Sequence, residues 1–155
     1  MVKLLSAIYA AYNQATLGQP WYPKPDGTTF CNDAFNFICN AVGYTKFNAP
    51  DVAHPVMADP MISFMKTSND WMNIDGNVAQ QHANEGSLVA ATLYNSSGHG
   101  HVCTVIPGEM MWAGHLAKNV PVVMNIGKDV FIGKEAGYAF TEEPLYFVLC
   151  STIPK

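Results

Sequence analysis

Two different hydrophobic periods divide this chain, and the change falls at Gly86. Before it, apolar residues recur at helical spacing. Leu4, Leu5, Ile8, Tyr9 and Tyr12 form one face of a predicted helix over 3–16 that ends at Gly18. Cys31, Ala34, Phe35, Ile38 and Val42 form the apolar stripe of a second helix. Asn32, Asp33, Asn36 and Asn40 line its other side, and Gly43 stops it. Met61 to Met72 reads as a third helix, its methionines taken as core or lid packing. Asp75-Gly76 reads as a turn, with a short helix from Val78 to Asn84. After Gly86 the pattern is that of strands: Ser87–Tyr94, His101–Pro107, Val120–Ile126 and Leu145–Ser151. Gly137–Phe140 is a short piece, and Met110–Ala117 reads as a helical turn. Helices first and strands afterwards predict an α+β fold, with an antiparallel sheet packed against the Cys31 helix.

The segments between are loops for stated reasons. Residues 19–28 carry three prolines and must run extended into the turn Asp26-Gly27, with Thr28 or Thr29 able to cap the following helix. Residues 44–60 hold Pro50, Pro55 and Pro60. No repeat or linker breaks the chain, so residues 1–155 read as one domain. Met1-Val2-Lys3 and the apolar stretch after it have the outline of a signal peptide. Ser6 and two tyrosines interrupt that stretch, and it reads as a structural helix. No run approaches the roughly 18 apolar residues of a membrane span.

Composition narrows the function. Apolar residues make up 49% and charged residues 13%, against about 25% charged in ordinary soluble domains. That composition argues for a packed core. With a net charge of −4 and only 8 Lys plus Arg, no basic patch is available for nucleic acid. The four cysteines, Cys31, Cys39, Cys103 and Cys150, are too sparse for a secreted disulfide scaffold. Cys31 and Cys39 would lie about 12 Å apart along one helix, too far to bridge. Cys103 and Cys150 can pair only if their strands are neighbours.

Cys31 stands in the first turn of its helix, where free N–H groups and the helix dipole favour an anion, so its thiol should ionise readily. A thiolate becomes a hydrolase centre when a histidine and an orienting group join it. Gly100-His101-Val102 opens a central strand, and the glycine leaves room beside the imidazole. Asn125 ends the run Val122-Val123-Met124, where a polar residue is out of place, and can hold the imidazole in one tautomer if the two strands are neighbours. Each also has a plainer reading: a buried core thiol, a hairpin histidine, a turn asparagine before Gly127. Trp21 and Tyr22 can wall a cleft beside the thiol or simply anchor their loop.

A cysteine at a helix start, then Gly-His-hydrophobic at a strand start, then a polar residue on the next strand resembles the NlpC/P60 and CHAP group of papain-like cysteine hydrolases. The small format is similar to the amidase effectors of type VI secretion and to phage cell-wall hydrolases. Asn32-Asp33 follow Cys31 where Ser-Gly usually follows the NlpC/P60 nucleophile, which is nearer to CHAP-like variants. Asn125 stands where many members carry histidine, and Tyr22 resembles a tyrosine that precedes the cysteine. The resemblance implies a papain-like fold and cleavage of an amide bond in peptidoglycan peptides by Cys31, His101 and Asn125, with no cofactor. It also implies action in the cell envelope after export or phage delivery and, for an effector, a neutralising immunity protein. Two other readings compete: a zinc site at His99, His101 and Cys103, which share alternate strand positions, and a non-catalytic papain-like binding or virion module.

Overall fold

The structure is a computed structural model that describes residues 2–17, 30–48, 56–96 and 99–154. The predicted turn Asp26-Gly27, the caps Thr28 and Thr29, the aromatics Trp21 and Tyr22, and Pro50 and Pro55 lie outside the described residues. Within them the fold is α+β. Its elements are α1 (Val2–Thr16), α2 (Cys31–Ala41), α3 (Ala58–Thr67), β1 (Trp71–Ile74), α4 (Gly76–Asn84), β2 (Val89–Leu93) and β3 (His101–Val105). There follow β4 (Met111–Ala113), β5 (Lys118–Val120), β6 (Val122–Ile126), β7 (Val130–Glu135) and β8 (Leu145–Leu149). Six strands form one sheet in the order β1-β8-β2-β3-β6-β7, every pair antiparallel, while β4 and β5 form a separate hairpin. Among the described residues no helix is long and apolar enough to cross a membrane.

The sheet is covered on both faces. One core joins α1, α2 and α3 to Trp71, Ala90, Val102, Met124, Phe147 and Leu149. The other packs α4 and the β4–β5 hairpin on Ala91, Cys103, Val105, Val123, Phe131 and Val148. Two-sided burial explains why β2 (Val-Ala-Ala-Thr-Leu) and β6 (Val-Val-Met-Asn-Ile) lack an alternating pattern. Phe35 and Ile38 of α2 are fully buried, each contributing about 1.5–3 kcal/mol by leaving water. Phe35 meets the Trp71 ring at 6.1 Å, and Trp71 Nε1 donates to the Tyr44 hydroxyl at 3.0 Å, which ties α2 to the sheet edge.

Several expectations need correction. On the polar side of α2, Asn32, Asp33 and Asn36 are all buried. The segment after the helix folds back over that side. Asn48 Oδ1 accepts from Asn36 Nδ2 at 2.8 Å and from Asn40 Nδ2 at 3.0 Å, and Asn32 Nδ2 donates to the Val56 carbonyl. Phe30 holds the N-cap position of α2, with no side-chain cap. The third helix starts and stops earlier than predicted. Pro60 sits in its first turn, where a missing N–H costs nothing, and Met72 belongs to β1, paired with Val148. Met61 and Met65 are core residues. Asp75-Gly76 is a helix start rather than a free turn, because the Asp75 carboxylate accepts from Val78 N at 3.0 Å. The predicted turn at Met110–Ala117 is the β4 strand and the tight turn after it. β7 went unpredicted because Gly133, at φ +81, interrupts Val130-Phe131-Ile132 in a bulged register.

Gln80 of α4 closes one end of the β3–β6 pair. It is buried; its Nε2 donates to the Ile106 carbonyl and its Oε1 accepts from Val122 N, both at 2.9 Å. Gln80→Ala strands both backbone groups and should destabilise the fold by about 2–4 kcal/mol. Urea denaturation measures this, and a loss below about 1 kcal/mol would contradict the clamp.

Candidate active site

The opposite end of the β3–β6 pair is open, and the candidate residues meet there. β3 pairs with β2 along its whole length, from Leu93↔His101 to Val89↔Val105. With β6 it pairs only at Thr104↔Met124 and Val105↔Val123. Beyond those positions the two strands separate, leaving His101, Val102 and Cys103 without β6 partners. Asn125 leans across the gap from β6, and Cys31 at the start of α2 reaches it from the helical face.

The geometry of the gap is specific. His101 Nε2 lies 2.6 Å from Asn125 Oδ1. The Asn125 amide is oriented by the β6–β7 turn, because its Nδ2 donates to the Asp129 carbonyl at 2.6 Å. Oδ1 must therefore face the ring as an acceptor, which makes Nε2–H the donor and leaves Nδ1 as the basic nitrogen. The thiol of Cys103, two residues along β3 and fully buried, donates to the same Oδ1 at 2.9 Å and sits 3.2 Å from His101 Nε2. Phe140 covers the imidazole with ring centroids 5.4 Å apart. A Cβ built on Gly127 would lie 2.8 Å from His101 Cε1, so this position lets the ring fill the gap.

The loop before His101 is tied down by Asp59 in the first turn of α3. Its carboxylate accepts from Asn95 N at 3.2 Å and from Gly100 N at 3.0 Å. A Cβ on Gly100 would overlap Asp59 Oδ1, so the glycine makes room for the carboxylate from α3.

The electrostatics separate one thiol from the others. Burial raises the pKa of Cys31. The hydrogen bond and charge of His101, with the backbone N–H groups of Val102 and Asn32, outweigh it and leave the thiol below its ordinary 9.0. The Val102 N–H is available because no β6 residue pairs there. Cys39, on the same helix but without a histidine, is pushed well above 9.0 by burial. Burial also raises Cys103, despite its contact with His101. Burial disfavours the His101 imidazolium, yet the neighbouring sulfurs, Cys103 first and then Cys31, hold it well above 6.5. Of the three buried thiols, Cys31 is thus the one whose surroundings favour the thiolate.

No protein-family model matches the chain, and no curated protein matches it in sequence. The site therefore rests on its own geometry. That geometry brings together Cys31, His101 and Asn125. His99 is exposed, and among the described residues no group of three His, Cys, Asp or Glu side chains is arranged to hold a metal ion. All four cysteines are free; Cys103 and Cys150 do not pair, because β2 separates β3 from β8 and Cys150 sits exposed in a 3-10 turn. Sequence reasoning missed Asp59, Phe140 and the part Gly127 plays. Only Gly127 left a local trace, as the residue just after Asn125 and Ile126.

Proposed function

We propose that this protein is a cysteine hydrolase, on a papain-like fold of the NlpC/P60–CHAP type, that cleaves an amide bond in peptidoglycan stem or cross-link peptides. The observation that carries the reading is a thiol at a helix N-terminus hydrogen-bonded to an imidazole whose Nε2 is held by an amide. Cys31 attacks the scissile carbonyl as thiolate. The Cys31 backbone N–H, at the positive end of α2, helps to stabilise the oxyanion. His101 Nδ1–H protonates the leaving amine, and a thioester forms on Cys31. His101 then takes a proton from water, hydroxide adds to the thioester, and the acid product leaves with the thiolate restored. Asn125 keeps the proton on Nε2 throughout, so that Nδ1 does the proton transfer. Burial of the Cys31–His101 pair strengthens each of these interactions.

Peptidoglycan as the substrate, a single catalytic domain over residues 1–155 and action in the cell envelope rest on the resemblance of the Cys31, Gly100-His101 and Asn125 motifs to that group. The deciding experiment incubates purified protein with peptidoglycan sacculi beside Cys31→Ala and identifies released fragments by mass spectrometry. The expected result is new stem-peptide fragments from the wild type alone. If sacculi and synthetic stem peptides stay intact with folded wild-type protein, the substrate assignment is wrong. Fragments released equally by Cys31→Ala would rule out the mechanism.

A further inference from the structure

We propose that Cys103 is a positioning residue of this site, whose thiol proton fixes the Asn125 amide and, through it, the His101 imidazole. This inference rests on the cysteine-hydrolase reading and adds a fourth residue to it. Asn125 Oδ1 has two lone pairs, and both are used: one accepts His101 Nε2–H and the other the Cys103 thiol. The Asn125 Nδ2 is bound to the Asp129 carbonyl, so every polar atom of the amide is engaged and a flip would break all three contacts. The sulfur also packs against His101 Nε2 at 3.2 Å, filling the wedge that β6 leaves when it separates from β3.

An ordinary core thiol would be surrounded by carbon, and its removal would cost packing alone. Cys103 belongs to the second core, yet its sulfur ends on two polar atoms of the site, His101 Nε2 and Asn125 Oδ1. Position matters too. His101 and Cys103 alternate along β3, so their side chains share one sheet face, and the register places Asn125 opposite Cys103 just where the ladder stops. A thiol there is small enough for the wedge, keeps its proton when buried, and supplies one donor without the stronger hydration of a hydroxyl or amide.

The test compares Cys103→Ala, Cys103→Ser and Asn125→Ala with the double variant lacking both groups. Three quantities are read for each: turnover per folded molecule, the pH dependence of Cys31 alkylation by iodoacetamide, and the imidazole nitrogen shifts of His101. In Cys103→Ala, turnover should fall about ten-fold with KM unchanged, within the hundred-fold that an ångström of misplacement can cost. The His101 shifts should move from the Nε2–H tautomer toward a mixture, and Cys103→Ser should restore most of both. The double variant should be no worse than Asn125→Ala, because Cys103 acts through that amide. A Cys103→Ala protein that melts lower yet keeps wild-type turnover and nitrogen shifts would overturn the proposal. So would a serine variant as impaired as alanine. The alkylation and nitrogen readouts need no substrate, so they decide the positioning role even if sacculi prove not to be cleaved.

Discussion

Replacing His101 by Gln is expected to lower kcat/KM by about a thousand-fold or more, since it removes the group that activates the nucleophile and protonates the leaving amine. It should also change a property that does not depend on turnover. Cys31 is held below its ordinary pKa against the cost of burial chiefly by the hydrogen bond and charge of His101. Without the imidazolium, burial prevails, and the thiol should behave like Cys39, which lacks such a partner and lies well above 9.0. Iodoacetamide labelling of Cys31 at neutral pH should therefore slow sharply, with its midpoint shifted to higher pH. The wild type carries the reactive thiolate–imidazolium pair only above the lowered Cys31 pKa and below the raised His101 pKa. Activity should rise with pH through the first, which lies below 9.0, and fall through the second, which lies above 6.5. A His101→Gln protein with an unchanged labelling profile would show that the imidazole does not control the thiol.

Gly127→Ala is expected to separate catalysis from stability. The added methyl carbon would stand 2.8 Å from His101 Cε1 and 3.5 Å from Asn125 Nδ2. Both are side-chain atoms of the site, so the ring yields and the backbone does not have to. Displacing the imidazole breaks its 2.6 Å bond to Asn125 and disturbs its hydrogen bond with Cys31. Turnover should drop by roughly ten- to a hundred-fold. Unfolding free energy should change by less than about 1 kcal/mol, since no core contact is lost. Steady-state kinetics beside thermal melting give both numbers. Full activity in Gly127→Ala would mean that the ring has a second, equally competent position.

What could be read from the chain was what neighbouring residues determine among themselves. The 3.6-residue stripe from Cys31 to Ile38 predicts a helix wherever α2 packs, and a residue at its first position meets free N–H groups whatever lies beyond. Gly43 and Gly86 mark helix ends because their φ values, +90 and +92, suit glycine alone. Asn125 is conspicuous as a polar residue in an apolar run, and it is buried in the gap with both its amide oxygen and its amide nitrogen hydrogen-bonded. Where the local signal was ambiguous, the reading failed in ways that physics explains. Pro60 reads as a breaker although a first turn accepts proline. Gly133 concealed β7 because a bulge and a chain break leave the same trace in sequence.

The rest is decided by contacts between distant residues, and no local pattern encodes them. Asn32, Asp33 and Asn36 line the polar side of α2, yet the following segment buries both asparagines against the Val56 carbonyl and the Asn48 side chain. Hydrogen-bonded burial of a polar face looks the same in sequence as exposure. The early end of the β3–β6 ladder lets Val102 offer its N–H to Cys31 and lets one gap hold two thiols, an imidazole and an amide. Asp59 binds Gly100 from another helix, a pairing that exists only once α3 has packed on the sheet. The individual groups could thus be named from spacing and chemistry alone. Which thiol ionises, which nitrogen is free and how the imidazole is held depend on strand separation and burial, and these arise only when the whole sheet has assembled.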